Sequence, residues 1–202
     1  MHGDERQHHD GREAASTFGI AHDGGAEMKV HVIVASRHDG TLEIARVIGD
    51  TLAERGHDTD VTRLERDGGG EVDLRPGDAV VLGSAVYTGE WMGRAQRFVD
   101  HHAAELQDRP LWLFSSGARH GADGAEVDDT WIEGIEHDTG AIGHHLFLSR
   151  IDPTRLTFGE RFVATNKDLP SGDFRDWDDI RSWAHGIADQ LDTGAAAAST
   201  DV

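Results

Sequence analysis

Short apolar runs alternate with amphipathic stretches along most of the chain, and this alternation predicts its secondary structure. The pattern predicts strands at Lys29–Ala35, Asp58–Leu64, Ala79–Gly83, Leu111–Ser115 and His144–Ser149. Apolar residues at helical spacing predict helices at Thr41–Arg55, Met92–Leu106, Asp128–Glu136 and Asp176–Leu191. Strands separated by helices favour an α/β fold, in which helices cover both faces of a parallel sheet.

The second predicted strand indicates how the sheet is ordered. Asp58–Leu64 alternates Val61 and Leu64 with polar neighbours, as a strand at the edge of a sheet does. With that strand at one edge, the five strands fit the order 2-1-3-4-5. In such sheets ligands bind beyond the carboxyl ends of the strands, at the switch point between strands 1 and 3.

Three loops rich in small and polar residues lie near this switch point. They are Ser36–Thr41, Ser84–Trp91 and Ser115–His120. The first loop leads directly into a helix, so its N–H groups are placed to bind a phosphate, with the hydroxyls of Ser36 and Thr41 as further donors. A ring attached to that phosphate would lie between the other two loops, against Tyr87 or Trp91. The alternative is an ordinary turn, with both aromatic residues merely covering the core.

Composition narrows the possible classes of function. The 202 residues contain no cysteine, which excludes disulfides and thiolate metal sites. No apolar run approaches the ~20 residues of a membrane span, and the N-terminus has no apolar signal core. A net charge of −19 repels nucleic acid and anionic membrane surfaces. Residues 1–27 and 193–202 are predicted to be disordered. Residues 1–27 are either an N-terminal extension or the product of translation that begins upstream of a true start at Met28. Residues 28–192 remain as one predicted domain.

Three stretches resemble parts of a known family. They are A-S-R-H-D-G-T-L-E-I-A (Ala35–Ala45), V-L-G-S-A-V-Y-T-G-E-W-M-G-R-A-Q-R-F-V (Val81–Val99) and D-F-R-D-W-D-D-I-R-S-W-A (Asp173–Ala184). These stretches resemble the flavodoxin-like FMN proteins, and within that family the protoporphyrinogen dehydrogenase group. The first is similar to the phosphate loop, the second to the flavin loop with its flanking elements, and the third to the terminal helix. The resemblance runs from Met28 to about Leu191 and implies a flavodoxin-like three-layer sandwich.

The resemblance implies FMN as the cofactor. The residues that it places around FMN are Ser36, Arg37, His38, Gly40, Thr41, Ser84, Ala85, Val86, Tyr87, Thr88, Gly89, Ser115, Ser116 and Gly117. It implies no metal and no nucleophilic side chain, because a flavin carries the redox chemistry itself. The family usually has glycine where this chain has Asp39. An aspartate can adopt a left-handed backbone, but its charge beside a phosphate is unfavourable unless Arg37 or His38 offsets it.

Three functions remain open from the sequence. The first is a quinone-dependent protoporphyrinogen IX dehydrogenase of heme biosynthesis, cytoplasmic and with at most a peripheral contact with the inner face of the cell membrane. The second is an electron carrier whose acidic surface docks basic redox proteins. The third is a flavodoxin-like module that has lost FMN, which is suggested by the negative charge of Asp39 in the expected phosphate loop. The acidic segment Ala118–Gly143 attracts neither porphyrinogen propionates nor an anionic membrane.

The acidic composition also predicts a salt-rich environment. Lysine occurs only at Lys29 and Lys167, and acidic residues outnumber basic ones by 38 to 19. Molar salt shortens the Debye length to ~3 Å and so relieves the repulsion among the acidic side chains. We therefore expect a halophile's cytosolic protein, whose melting temperature rises between dilute buffer and molar KCl. A melting temperature that is as high in dilute buffer would contradict this expectation.

Overall fold

The computed structural model describes residues 28–65, 72–87, 89–117, 130–151 and 172–198. The strands in these ranges are β1 (Lys29–Ala35), β2 (Asp58–Arg63), β3 (Ala79–Tyr87), β4 (Glu90–Trp91), β5 (Leu111–Gly117), β6 (Gly143–Leu148), β7 (Arg150–Ile151) and β8 (Gly172–Asp173). The helices are α1 (Gly40–Glu54), α2 (Gly93–Gln107), α3 (Thr130–Thr139) and α4 (Trp177–Ala198). The predicted N-terminal extension, Thr88, residues 118–129 of the acidic segment and residues 199–202 lie outside the described ranges.

The main sheet has the order β2-β1-β3-β5-β6, and all four of these pairings are parallel. The predicted order 2-1-3-4-5 is therefore confirmed, since only the numbering changes. The extra number belongs to β4, a two-residue strand that pairs antiparallel with the end of β3. Beyond β6, β7 and β8 form a separate antiparallel ribbon.

Alternate residues of β1 face two different apolar layers. Val32 packs with Ile48 of α1 and Ile187 of α4 on one face of the sheet. Ile33 packs with α2 and α3 on the other, where Phe98 belongs to the same buried cluster. Successive strand residues point to opposite faces, so a strand buried on both sides reads as a continuous apolar run. This arrangement confirms the three-layer sandwich.

Two strands are longer than the sequence pattern predicts. β3 continues to Tyr87 and β5 continues to Gly117, so the predicted second and third loops begin inside the sheet. Ser84 pairs in register with both Ala35 and Ser115, and each is buried. The prediction that Ser84–Tyr87 and residues 116–117 are loop was therefore wrong, whereas the predicted strand Leu111–Ser115 lies within β5. The small polar residues at these positions indicated a loop, but the backbone N–H and C=O groups there form the hydrogen bonds of the sheet.

The ends of the helices differ by small amounts from the prediction, except at the C-terminus. α4 runs past Leu191 to Ala198, so residues 193–198 are helical rather than part of an unstructured tail.

Among the described residues, no helix has both the length and the apolar character that crossing a membrane requires.

A close contact between β3 and β5 gives a test of this packing. A Cβ on Gly83 would lie 2.1 Å from ring atoms of Phe114, which is fully buried. We expect Gly83→Ala to lower the free energy of unfolding by roughly 1–3 kcal/mol, because neither the strand nor the ring can move without disturbing the sheet. The measurement is urea unfolding at a fixed salt concentration.

A matched control is Gly186→Ala in α4, where an added Cβ meets no described atom within 4 Å. Alanine has the higher helix propensity, so this variant should be more stable by up to about 1 kcal/mol. Equal effects of the two substitutions would contradict the proposed packing at Gly83.

Candidate functional site

The loop after β1 leads into a helix whose first turn has no side-chain cap. The residue at the N-cap is Asp39, and its carboxylate makes no hydrogen bond to the N–H groups of α1. The first N–H groups of a helix have no partner within the helix, and they carry the positive end of its dipole. Ser36 lies at the start of this loop, only 1% exposed, and its Oγ has no hydrogen-bond partner among the described residues.

Asp39 has the left-handed backbone conformation, with φ at 62°. It is the one non-glycine residue with a positive φ in the described parts of the chain. Gly40 does not have a positive φ, and an added Cβ there would meet no described atom within 4 Å. The position where the resemblance implies glycine thus holds an aspartate in the left-handed conformation that glycine adopts readily.

Arg63 supplies a positive charge that the sequence analysis did not identify. Its Nη1 lies 2.7 Å from Oδ1 of Asp39, and its Nη2 donates to the carbonyl oxygen of Ser36 at 2.7 Å. Arg94 of α2 donates to the same carbonyl oxygen at 2.6 Å. The carboxylate of Asp39 is therefore compensated by a residue at the end of β2. Arg37 and His38, which the sequence had suggested for this role, are half-buried in the loop.

The hydroxyl groups at the ends of β3 and β5 fall into two classes. Ser84 Oγ donates to the carbonyl of Ala85 and accepts from the Met92 N–H at 3.0 Å, so it fixes the start of α2. Ser115 Oγ accepts from the Trp91 indole N–H and contacts His144 Nε2, both at 2.8 Å. Ser116 Oγ is buried and has no hydrogen-bond partner among the described residues. Ser36 and Ser116 thus retain hydrogen-bonding capacity for a ligand, whereas Ser84 and Ser115 are engaged within the protein.

The two candidate aromatic residues have different environments. Trp91 is 2% exposed and packs in the cluster under α2, so it covers the core, as the alternative reading held. Tyr87 is half-buried at the end of β3 and is the better placed to pack against a ring. Gly89 makes the turn between β3 and β4 with φ at 87°, and Thr88 lies outside the described residues. Gly117 approaches Val86 closely, since a Cβ on it would lie 3.1 Å from that side chain.

A second arginine neutralises another carboxylate in the first turn of α1. Arg175, with a side chain 3% exposed, forms ion pairs with Glu43 and Asp173 and lies 4.3 Å from the centre of the Trp177 ring. The hydrogen bond from Arg175 lowers the pKa of Asp173, and the bond to Asp173 raises the pKa of Arg175. Arg150 adds a longer contact of 3.7 Å with Glu43. The acidic side chains near this helix N-terminus are thus paired with arginine.

Comparison with known proteins assigns the class. The flavodoxin-domain family matches residues 31–165, which is more than half of the chain. The chain belongs to the flavodoxin-domain family.

Solved structures agree with this class at the level of the fold. Oxidised flavodoxin 2 from Bacillus cereus is 20% identical, with a TM-score of 0.54 over 80% of this chain and 99% of that one. A flavodoxin from the domain Archaea is 16% identical, with a TM-score of 0.52 over 82% and 99%. The rubredoxin oxygen:oxidoreductase of Desulfovibrio gigas is 14% identical, with a TM-score of 0.51 over 83% of this chain and 37% of that one. None of the curated proteins matches the chain.

The backbone at position 39 gives a test that is independent of any ligand. Asp39→Gly and Asp39→Ala both remove the ion pair with Arg63, but only glycine adopts a positive φ without steric cost. We expect Asp39→Ala to be less stable than Asp39→Gly by roughly 1–2 kcal/mol, the cost of the left-handed region for a residue with a Cβ. Urea unfolding of the two variants measures this difference directly.

The control is the same pair of substitutions at Asp50, an exposed residue within α1. There alanine should be the more stable of the two by about 1 kcal/mol, because glycine weakens a helix interior. If glycine and alanine rank in the same order at both positions, residue 39 does not have the left-handed conformation in solution.

Proposed function

We propose that this protein binds FMN, with the phosphate on residues 36–41 and the ring beside the ends of β3 and β5, and that it acts as a flavin-dependent redox protein. Proteins of the flavodoxin family bind FMN. The observation that carries the proposal is the buried Ser36 hydroxyl, which has no described partner and lies beside the uncapped start of α1. A hydroxyl and the first N–H groups of a helix, which have no partner within that helix, are donors of the kind that bind a phosphate.

The residues of the chain have separable roles in this proposal. Ser36 and the first N–H groups of α1 donate hydrogen bonds to the phosphate, and the buried Thr41 adds a second hydroxyl at the same place. Ser116 offers a buried donor near the ring, and Tyr87 packs against it. FMN, when bound, supplies the electron-transfer chemistry, so no nucleophilic side chain is required.

Two finer functions are proposed on different observations. A quinone-dependent protoporphyrinogen IX dehydrogenase is favoured by the resemblance of Asp173–Ala184 to that group. The segment bears on the site, because Arg175 within it pairs with Glu43 of α1 and so adjoins the proposed phosphate loop. An electron carrier is favoured by the net charge of −19, which attracts basic redox proteins.

The binding proposal is tested by adding FMN to purified protein and following the quenching of flavin fluorescence. We expect the wild-type protein to bind FMN, and Ser36→Ala to bind it roughly tenfold more weakly, since a hydrogen bond to a charged group is lost. Ser182→Ala, at an exposed position of α4, is the matched control and should bind as the wild type does. A wild-type protein that binds no FMN would leave the third alternative, a flavodoxin-like module without cofactor.

The same flavin-loaded protein separates the two redox functions. Anaerobic addition of protoporphyrinogen IX should bleach the flavin absorbance if the protein is the dehydrogenase, and menaquinone should restore it. A carrier would be reduced by a reductase protein and not by the porphyrinogen. Bleaching by neither donor would contradict both functions while leaving FMN binding intact.

A further inference from the structure

We infer that Arg63 and Arg94 are positioning residues, which hold the loop of residues 36–41 in its phosphate-binding conformation from two sides. The inference rests on the proposed function, because it takes this loop to be the phosphate site. It concerns what prepares the loop rather than what touches the ligand. The two arginines lie in different elements, β2 and α2, and both reach the carbonyl oxygen of Ser36.

Arg63 and Arg94 fix the orientation of the peptide group between Ser36 and Arg37. The carbonyl of Ser36 accepts hydrogen bonds from Arg63 Nη2 at 2.7 Å and from Arg94 Nη2 at 2.6 Å. A trans peptide is planar, so the N–H of the following residue points in the direction opposite to this carbonyl. Fixing the Ser36 carbonyl therefore also fixes the direction of the Arg37 N–H, away from the two guanidinium groups. The orientation of the peptide is set before any ligand arrives.

Arg63 also compensates the negative charge of the loop. Asp39 brings a carboxylate to a site that must accept a phosphate, and Arg63 binds that carboxylate at 2.7 Å with its other terminal nitrogen. One planar guanidinium thus holds both the Ser36 carbonyl and the Asp39 side chain. A lysine carries all its donors on one nitrogen and lacks the planar fork with which Nη1 and Nη2 of Arg63 reach the two acceptors separately, so it reproduces this pair of contacts less well. Arg63 therefore fixes the loop and offsets its negative charge together.

The sheet sets the orientation of the Arg63 side chain. Val61, two residues earlier in β2, packs against α1, with its Cγ2 only 2.7 Å from a Cβ built on Gly49. Residues two apart in a strand face the same side of the sheet. Arg63 consequently faces the side on which α1 begins, and the parallel pairing of Arg63 with Val34 brings it level with the end of β1. Its position is set by the sheet and does not depend on a ligand.

The test compares FMN with riboflavin, which has the same ring and no phosphate. The dissociation constants of both are measured by flavin fluorescence quenching, at one salt concentration, for the wild type, Arg63→Ala, Arg63→Lys, Arg94→Ala and Arg46→Ala. Arg46 is exposed on α1, so its variant controls for the loss of one positive charge. We expect Arg63→Ala and Arg94→Ala each to weaken FMN binding by roughly tenfold or more and to leave riboflavin binding unchanged. Arg63→Lys should recover part of the loss, and Arg46→Ala should show none.

A double-mutant cycle separates the two roles of Arg63. In the Asp39→Gly background there is no carboxylate to compensate, so Arg63→Ala should cost less FMN affinity than it does in the wild type. The cost that remains measures the contact with the Ser36 carbonyl. An equal cost in both backgrounds would overturn the compensating role of Arg63 and leave the positioning role alone.

Three results of these binding measurements would overturn the inference, and one of them would also overturn the proposed function. Equal weakening of FMN and riboflavin would overturn the inference, since the arginines would then support the fold in general. Unchanged FMN binding in both alanine variants would also overturn it and would leave the proposed function intact. A wild-type protein that binds FMN no more tightly than riboflavin would remove the phosphate site, and the proposed function and the inference would fail together. Circular dichroism confirms folding, and Arg63→Lys serves as the readout if an alanine variant does not fold.

Discussion

The bond between Arg63 and Asp39 is the interaction on which the site depends most. A residue with a Cβ occupies the left-handed region at position 39, and its carboxylate turns away from the helix that it would ordinarily cap. This leaves the start of α1 open to an anion. Because Arg63 ends the edge strand β2, the site depends on the register of that strand with β1. A slip of one residue would turn Arg63 to the other face of the sheet.

The sequence predicted the architecture well because its signals are local. Apolar runs and helical spacing located the strands and helices, and the alternation within residues 58–64 located the edge. The errors arose where polar residues are buried. Ser84 was predicted to begin a loop, and Ser115 both to end a strand and to begin a loop. Their hydroxyls bond Met92 and Trp91 instead, inside the sheet and the layer beside it. Periodicity cannot distinguish a serine with a buried partner from one in a turn.

The arginines of the site were missed for a different reason. Arg63 and Arg94 meet the loop across 24 and 58 residues of sequence. No spacing rule connects positions that far apart without the strand register. One signal was available: the predicted order put strand 2 beside strand 1, so a basic residue near its carboxyl end would lie at the edge where the phosphate loop was expected. The charge of Asp39 also calls for a basic partner, but Arg37 and His38 are its nearest basic residues in the sequence and were therefore the expected ones.

An acidic protein that binds a phosphate has an electrostatic problem, which this chain resolves locally. The two carboxylates at the start of α1 are Asp39 and Glu43, and each is paired with arginine. Charges farther away are screened within roughly 10 Å at moderate salt, so the net charge of −19 weighs less on the ligand than these pairs do. If residues 36–41 hold the phosphate as proposed, these ion pairs govern whether a flavin is held. The choice between the two proposed partners, a porphyrinogen and a redox protein, would then depend on access to the ring at its proposed place beside Tyr87 and the end of β5, because the flavin itself performs either reaction.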